Sequence, residues 1–115
     1  MLKKRKLANN KYNVTFTMPA LEGVAELFLV GEFNQWNETG TLMQKAKDGT
    51  WSVKLTLEGE KDYQYRYRDN NGVWYNDWAP DAYVRNTYGA DNCLVSLMNG
   101  VTETKKTTAR KKKLL

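Results

Sequence analysis

Residues 51–57 read Trp-Ser-Val-Lys-Leu-Thr-Leu, and apolar and polar side chains alternate along them without a break. Side chains of an extended strand point alternately to the two faces of a sheet, so this period of two predicts a strand with one buried face. Trp51 is in phase with the apolar set, and we therefore expect its ring in the core. The strand follows Asp48-Gly49, which favours a hairpin, and stops at Glu58-Gly59-Glu60, which predicts a turn.

Short runs of the same kind fill the chain on both sides of this strand. The other predicted strands cover residues 13–18, 25–30, 42–46, 63–68, 73–75 and 93–98. No stretch shows the helical period of an amphipathic helix. About seven short strands with regularly spaced turns predict an all-β fold, an antiparallel β-sandwich, and the 115 residues fit one domain.

The net charge of +5 is unevenly distributed along the chain. Residues 1–11 and 102–115 together hold 11 of the 18 basic groups and only one of the 13 acidic groups, which leaves the middle acidic. We therefore expect a basic N-terminal arm over residues 1–11, a sandwich over residues 12–101 and a disordered basic tail over residues 102–115. A uniformly basic nucleic-acid face is not supported, but the arms leave weak contact with nucleic acid or an anionic surface open.

Neither membrane insertion nor secretion is indicated. No apolar run approaches the ~18 residues that span a bilayer, and residues 7–10 are no signal-peptide core. The single cysteine, Cys93, cannot form an internal disulfide and suits a reducing compartment. We predict a cytoplasmic location.

Two polar turns that each carry a tryptophan offer the first indication of function. Residues 29–36 and 65–74 each begin in a strand and end in a turn with Trp36 or Trp74. Loops run over the surface, so both rings are expected to be accessible. Flat aromatic rings with polar neighbours suit sugars, whose C–H faces pack on the rings while their hydroxyls need polar partners.

These segments resemble a known family. Residues 31–36, Gly-Glu-Phe-Asn-Gln-Trp, are similar to the signature of starch- and glycogen-binding modules. These include the glycogen-binding domain of the AMP-activated protein kinase β-subunit and the isoamylase-type N-terminal domains of branching and debranching enzymes. The likeness continues through residues 65–67, 72–74 and 88–92 and covers roughly residues 12–98. The resemblance implies an immunoglobulin-like early-set sandwich, as in the standalone bacterial proteins of this family. It also implies a module that binds α-1,4-glucan such as glycogen or starch.

The resemblance also implies roles for individual residues. Trp36 and Trp74 would stack on successive sugar rings, Arg66 and Asn92 would bond to hydroxyls, and Tyr88 would flank the chain. Arg66 stands where the family has a lysine, and Gln64 and Arg68, which share its face of the predicted strand, are secondary candidates. The alternatives are structural: Trp36 could cap the sandwich, Trp74 could pack across strands on a tyrosine, and Arg66 could be a solvated charge.

Two further candidates stand beside these. Asn34 adjoins Trp36 in a polar turn and is included as a sugar contact. Trp78 lies in the loop sequence Asp-Trp-Ala-Pro of residues 77–80, where it could either extend the aromatic platform or plug the end of the sandwich. The motifs of the resemblance do not cover Trp78, so both interpretations stay open.

No catalytic chemistry is recognisable. The chain has no histidine, so no Ser-His or Cys-His relay can form. Asp77 and Asp81 on one short loop are interpreted as turn caps, not as a glycosidase pair. We expect no catalytic residue, no metal and no cofactor. The alternative to glucan binding is a protein-interaction adaptor for a glucan-metabolising enzyme or kinase, with the basic arms as an electrostatic tether.

Overall fold

The computed structural model describes residues 1–98, which form nine β-strands and one turn of 3₁₀-helix. The strands are β1 Leu2–Lys6, β2 Lys11–Met18, β3 Leu27–Gly31, β4 Gln44–Lys45, β5 Trp51–Glu58, β6 Asp62–Asp69, β7 Trp74–Tyr75, β8 Ala82–Arg85 and β9 Asp91–Ser96, and the 3₁₀ turn is Glu32–Asn34. Among these residues, no helix has the length and apolarity needed to cross a membrane. The predicted tail of residues 102–115 lies outside the described residues.

The strands form two antiparallel sheets with an immunoglobulin-like order. One sheet, called sheet A here, has the order β1-β2-β5-β4, and the other, sheet B, has β3-β6-β9-β8 with β7 also paired to β6. In chain order these are the A-B-E-D and C-F-G strands of the immunoglobulin sandwich, with β7 and β8 inserted before the last strand. The predicted all-β, immunoglobulin-like sandwich is confirmed, with nine strands in place of about seven.

The core is formed where the inward faces of the two sheets meet. Trp51 is 2% exposed, which confirms its predicted burial, and the inward residues of β2 are buried beside it. Phe16 of sheet A meets Tyr65 of sheet B edge to face, with ring centroids 5.1 Å apart. Tyr65 and Tyr67 in turn lie edge to face at 5.7 Å. Aromatic pairs in this geometry add to the stabilisation that burial alone provides.

Strand β1 was not predicted, because its sequence Leu-Lys-Lys-Arg-Lys is dominated by charge. The register with β2 shows how these residues are tolerated: Lys3 and Arg5 face outward, opposite Thr15 and Asn13. Lys4 points toward the other sheet and places its ammonium 2.6 Å from Asp81. Lysines are typical of edge strands, where they discourage pairing with other chains. The sandwich therefore includes part of the segment expected to be an arm.

Strand β8 lies between the predicted strands 73–75 and 93–98, in a stretch where the sequence predicts no strand. It pairs with β9 over four residues, from Ala82 opposite Leu94 to Arg85 opposite Asp91. A four-residue edge strand is too short for a clear alternation. It is nevertheless important, because the β8–β9 hairpin forms one wall of the groove described below.

A buried carboxylate holds the loop before β8 against the core. Asp77 is fully buried, and one of its oxygens accepts hydrogen bonds from the Tyr65 and Tyr67 hydroxyls at 2.9 and 3.2 Å. Its other oxygen accepts from the Ala79 amide and contacts the Met1 amino group. Asp77 does cap a turn, as predicted, but it also satisfies two tyrosine hydroxyls in the core, which no local pattern indicates.

Replacing Trp51 with alanine should unfold much of the protein. Deleting a large buried ring typically costs about 3–5 kcal/mol, which is much of the stability of a small domain. Thermal denaturation followed by circular dichroism measures the loss. Trp78→Ala is the matched control, because Trp78 is 63% exposed. A melting temperature of Trp51→Ala close to that of the control would contradict the assigned core.

Alkaline pH should destabilise the fold through its buried tyrosines. Burial, and then the neighbouring negative charges, raise the pKa of Tyr65 and Tyr67. A raised folded-state pKa gives stability that is complete below the unfolded pKa of about 10 and declines as pH rises further. Each tyrosine should contribute a slope of about 1.4 kcal/mol per pH unit in that range.

Urea unfolding between pH 9 and 11, chosen as roughly one unit on either side of the unfolded tyrosine pKa, measures this slope. The comparison variant is Tyr67→Phe, in which the slope of unfolding free energy against pH should be smaller by the contribution of one tyrosine. Equal slopes in both proteins would show that Tyr67 does not contribute to the pH dependence.

Candidate functional site

An open groove of about 900 Å³ runs over the outer face of sheet B. Its floor comes from β6 and β9, and its walls come from three turns: the loop after β3, the β6–β7 hairpin and the β8–β9 hairpin. The lining residues are Glu32, Trp36, Glu38, Gln64, Arg66, Trp74, Val84, Arg85, Asn86, Thr87, Tyr88, Ala90 and Asn92.

Trp36 is held by a compact turn after β3. Gln35 and Trp36 both have left-handed backbone conformations, with φ of 57° and 59°. The Trp36 amide donates to the Gly31 carbonyl at 2.8 Å, which brings the chain back over the end of β3. The ring is 36% exposed, so one part of it is packed and another part faces the groove.

Asn34 fastens this turn from inside. Its Oδ1 accepts from the Gly31 amide at 3.0 Å, and its Nδ2 donates to the Leu29 carbonyl and the Thr41 hydroxyl at 2.9 and 3.1 Å. These bonds engage both ends of the side-chain amide. Asn34 does not line the groove, so the structure places this predicted sugar contact in a supporting position.

Trp74 is positioned by the β6–β7 hairpin, which Asp69 closes. The buried Asp69 carboxylate accepts from the amides of Asn71 and Val73 at 2.8 and 2.9 Å and from the Tyr75 hydroxyl at 2.8 Å. Burial acts to raise the pKa of Asp69, but these hydrogen bonds together lower it below its usual value. The ionised form therefore holds the turn.

Two arginines on β6 flank Trp74. The guanidinium carbons of Arg66 and Arg68 lie 5.5 and 5.7 Å from the centroid of the Trp74 ring, within cation–π range. Arg66 also donates from Nε to Asn76 Oδ1 at 2.7 Å. Trp74 thus packs across strands on arginines, and not on a tyrosine as in the structural alternative. The alternation along β6 is confirmed, since Tyr65 and Tyr67 are buried on the opposite face.

A chain of amide hydrogen bonds forms the floor beside Arg66. Asn86 Nδ2 donates to Asn92 Oδ1 at 3.1 Å, and Asn92 Nδ2 donates to Gln64 Oε1 at 3.0 Å. Asn92 occupies Gln64 Oε1, whereas the side-chain amide nitrogen of Gln64 has no hydrogen-bond partner among residues 1–98 and can donate to a ligand. Asn92 is only 8% exposed, so most of its surface supports its neighbours.

Tyr88 forms the tip of the third wall. It is 91% exposed and lies in the β8–β9 hairpin, where Gly89 has a φ of 84° that favours glycine. Asn86 Oδ1 accepts from the amides of Tyr88 and Ala90 at 2.9 and 3.1 Å and so fixes the turn. The Tyr88 side chain itself is free to contact a ligand.

The structure brings five of the seven predicted site residues together. They are the groove-lining residues Trp36, Arg66, Trp74, Tyr88 and Asn92. Asn34 lies beneath the Trp36 turn. Trp78 is exposed but does not line the groove, so it neither extends the platform nor plugs the core.

Sequence reasoning gave little weight to Gln64 and missed Asn86. Gln64 could be found from its phase, because it shares the outward face of β6 with Arg66. Asn86 precedes the Thr-Tyr-Gly of residues 87–89 and could be recognised only as a turn residue. Its position beside Asn92 depends on the missed strand β8.

The groove offers aromatic surface and hydrogen-bond donors but no recognisable reaction chemistry. Within residues 1–98, no cluster of three or more Asp, Glu or Cys side chains could hold a metal ion. Cys93 is buried, and burial raises the pKa of its thiol to about 11, so the unreactive thiol form predominates. The arrangement is suited to binding a polar ligand with flat apolar faces.

Comparison with known proteins agrees with this chemistry. The family model of carbohydrate-binding module 48 (isoamylase N-terminal domain) matches residues 8–84. A chloroplastic/amyloplastic 1,4-alpha-glucan-branching enzyme of Oryza sativa subsp. japonica is 34% identical over 56 residues, which is 43% of this chain and 7% of the enzyme. A 1,4-alpha-glucan-branching enzyme of Solanum tuberosum is 28% identical over 53 residues, 40% of this chain and 6% of the enzyme. The chain therefore spans only a small part of these relatives.

Asn34→Ala should loosen the Trp36 turn. Removing the amide leaves the Gly31 amide and the Leu29 carbonyl without their partner, at about 1–3 kcal/mol for each group that stays buried. We expect a lower melting temperature and faster hydrogen exchange at residues 35–41. The control is Asn37→Ala in the same loop, because Asn37 is exposed and its side chain, within residues 1–98, bonds only to Thr39. Equal protection of the loop in both variants would rule out this anchoring role.

Proposed function

The chain belongs to the carbohydrate-binding module 48 family, and we propose that its groove on sheet B binds α-1,4-glucan such as glycogen or starch. The observation that carries the proposal is the presence of Trp36, Trp74 and Tyr88 around one groove whose floor offers Arg66 and an amide chain. The names of the two branching enzymes support an α-glucan as the ligand class.

Six of the lining side chains have a role in the proposal. Trp36 and Trp74 stack on the C–H faces of sugar rings in the same glucan chain. The terminal nitrogens of Arg66 and the amide nitrogen of Gln64 donate to hydroxyls, while Asn92 holds Gln64 and contributes its small exposed part. Tyr88 flanks the chain from the hairpin tip.

Binding of this kind should be weak and should need little rearrangement. The turns that carry the aromatic rings are fastened by their own hydrogen bonds, so little order is lost or gained when a ligand arrives. Stacking and solvent-exposed hydrogen bonds support an affinity in the millimolar to micromolar range, which is about −4 to −8 kcal/mol.

The family is a non-catalytic module, and we propose that this chain binds without chemistry of its own. The comparisons support no protein or nucleic-acid partner. A cytoplasmic location is part of the proposal, and its support is the single cysteine, Cys93, which is free and buried.

Trp36→Ala and Trp74→Ala should each weaken glycogen binding without unfolding the domain. Each aromatic contact is worth about 0.5–1.5 kcal/mol beyond area burial, so each variant should lose roughly twofold to tenfold in affinity. Affinity electrophoresis in glycogen-containing gels measures this loss. Melting temperatures of the same preparations check the fold.

Trp78→Ala is the matched control, because Trp78 is an exposed tryptophan outside the groove. It should migrate like the wild type in glycogen gels. If Trp78→Ala lost affinity while Trp36→Ala and Trp74→Ala did not, the binding site would lie elsewhere. Wild-type protein that glycogen does not retard at all would refute the proposed function.

A further inference from the structure

The Trp36 loop, residues 35–41, and the β6–β7 hairpin are linked through one side chain. Arg68 Nη2 lies 3.6 Å from Glu38 Oε1, and the same guanidinium lies over the Trp74 ring. Glu38 is two residues from Trp36, and Arg68 is the direct register partner of Trp74. Arg68 therefore contacts both turns that carry the two tryptophans.

The surroundings of Arg68 favour these contacts over contacts with solvent. Its side chain is 26% exposed, and its Nε is buried with no hydrogen-bond partner among residues 1–98. Gly72 leaves room for the guanidinium, since a Cβ at that position would lie 3.1 Å from Nη2. The ring of Trp74 and the carboxylate of Glu38 thus hold the guanidinium in place.

Arg66 and Arg68 differ in what they can do, although both flank Trp74. Arg66 lines the groove, and its Nε is bonded to Asn76, so its terminal nitrogens face the ligand space. Arg68 is not among the groove-lining residues. The structure therefore does not indicate a direct contact between Arg68 and a ligand. It indicates that Arg68 would act on a ligand through its contacts with Trp74 and Glu38.

We propose that Arg68 is a positioning residue that fixes the spacing and tilt of the Trp36 and Trp74 rings. The inference rests on the proposed function, because ring spacing matters only for a ligand that stacks on both rings. A glucan repeats its sugar rings at a fixed interval. Two rings that are already fixed relative to each other bind such a ligand without losing the entropy of independent ring orientation.

Arg68→Met tests this role, because methionine keeps an unbranched apolar stem and removes the guanidinium. We expect maltoheptaose affinity to fall roughly fivefold, which is about 1 kcal/mol, with an unchanged fold. Arg68→Lys keeps the charge but loses the planar guanidinium, so its maltoheptaose affinity should lie between those of the wild type and Arg68→Met. The control is Arg5→Met on the outer face of sheet A, which should bind like the wild type.

A double-mutant cycle separates positioning from direct contact. If Arg68 acts by placing the two rings, Arg68→Met should change affinity less than about twofold when Trp36 is already alanine, because coupled residues are not additive. The same fivefold loss in both backgrounds would show that Arg68 acts independently of Trp36 and would overturn the proposal. If Arg68→Met bound maltoheptaose as tightly as the wild type while Trp36 is intact, the proposal would be overturned as well.

A readout without sugar distinguishes this failure from failure of the proposed function. The indole N–H signals of Trp36 and Trp74 in ¹⁵N NMR spectra, assigned with Trp→Phe variants, should both shift in Arg68→Met and stay in place in Arg5→Met. Shifts in the absence of any glucan binding by the wild type would refute the proposed function and leave the contact standing. Unmoved indole signals would refute the contact.

Discussion

The alternation of side chains along β6 governs both the core and the groove. Its inward residues, Tyr65 and Tyr67, are buried against sheet A, and its outward residues, Arg66 and Arg68, flank Trp74. A slip of one residue would exchange these faces, placing arginines in the core and tyrosines in the groove. The two tyrosine hydroxyls bond to the buried Asp77, so the same contacts that stabilise the core also lock this register.

The three aromatic residues of the groove share a second feature, which is a turn fastened by one short polar side chain. Asn34 closes the turn of Trp36, Asp69 closes the hairpin before Trp74, and Asn86 closes the hairpin of Tyr88, each through three hydrogen bonds. Asn and Asp suit this role because their side chains reach nearby backbone groups. The groove is consequently formed before any ligand arrives, and Arg68 adds a link between two of its walls.

The sequence predicted those parts of the structure that depend on local pattern. Alternation, apolar runs and turn residues identified seven strands and the burial of Trp51, and the family resemblance implied the roles of the five residues that the fold brings to one groove. It failed where a long-range contact decides the outcome. The charges of β1 are tolerated because Lys4 reaches Asp81 across the sandwich, and β8 is defined by its pairing with β9.

Two site predictions show the same limit. Asn34 and Trp36 lie in the same polar turn, yet the Asn34 amide points inward and the Trp36 ring points toward the groove. Trp78 carries as much aromatic surface as Trp36, but the burial of Asp77 fixes its loop outside the groove. Side-chain direction in a turn depends on which backbone groups need partners, and the residue order alone does not specify it.

The most direct test of glucan binding in this groove is a titration of ¹⁵N-labelled protein with maltoheptaose, followed through all four tryptophan indole signals. If glucan binds in the groove, the signals of Trp36 and Trp74 should shift together with a single dissociation constant, and backbone signals of residues 64, 66 and 92 should shift with them. The signals of buried Trp51 and of Trp78 should remain in place. Shifts confined to Trp78, or no shift at any tryptophan, would contradict the assignment of the groove on sheet B as the glucan site.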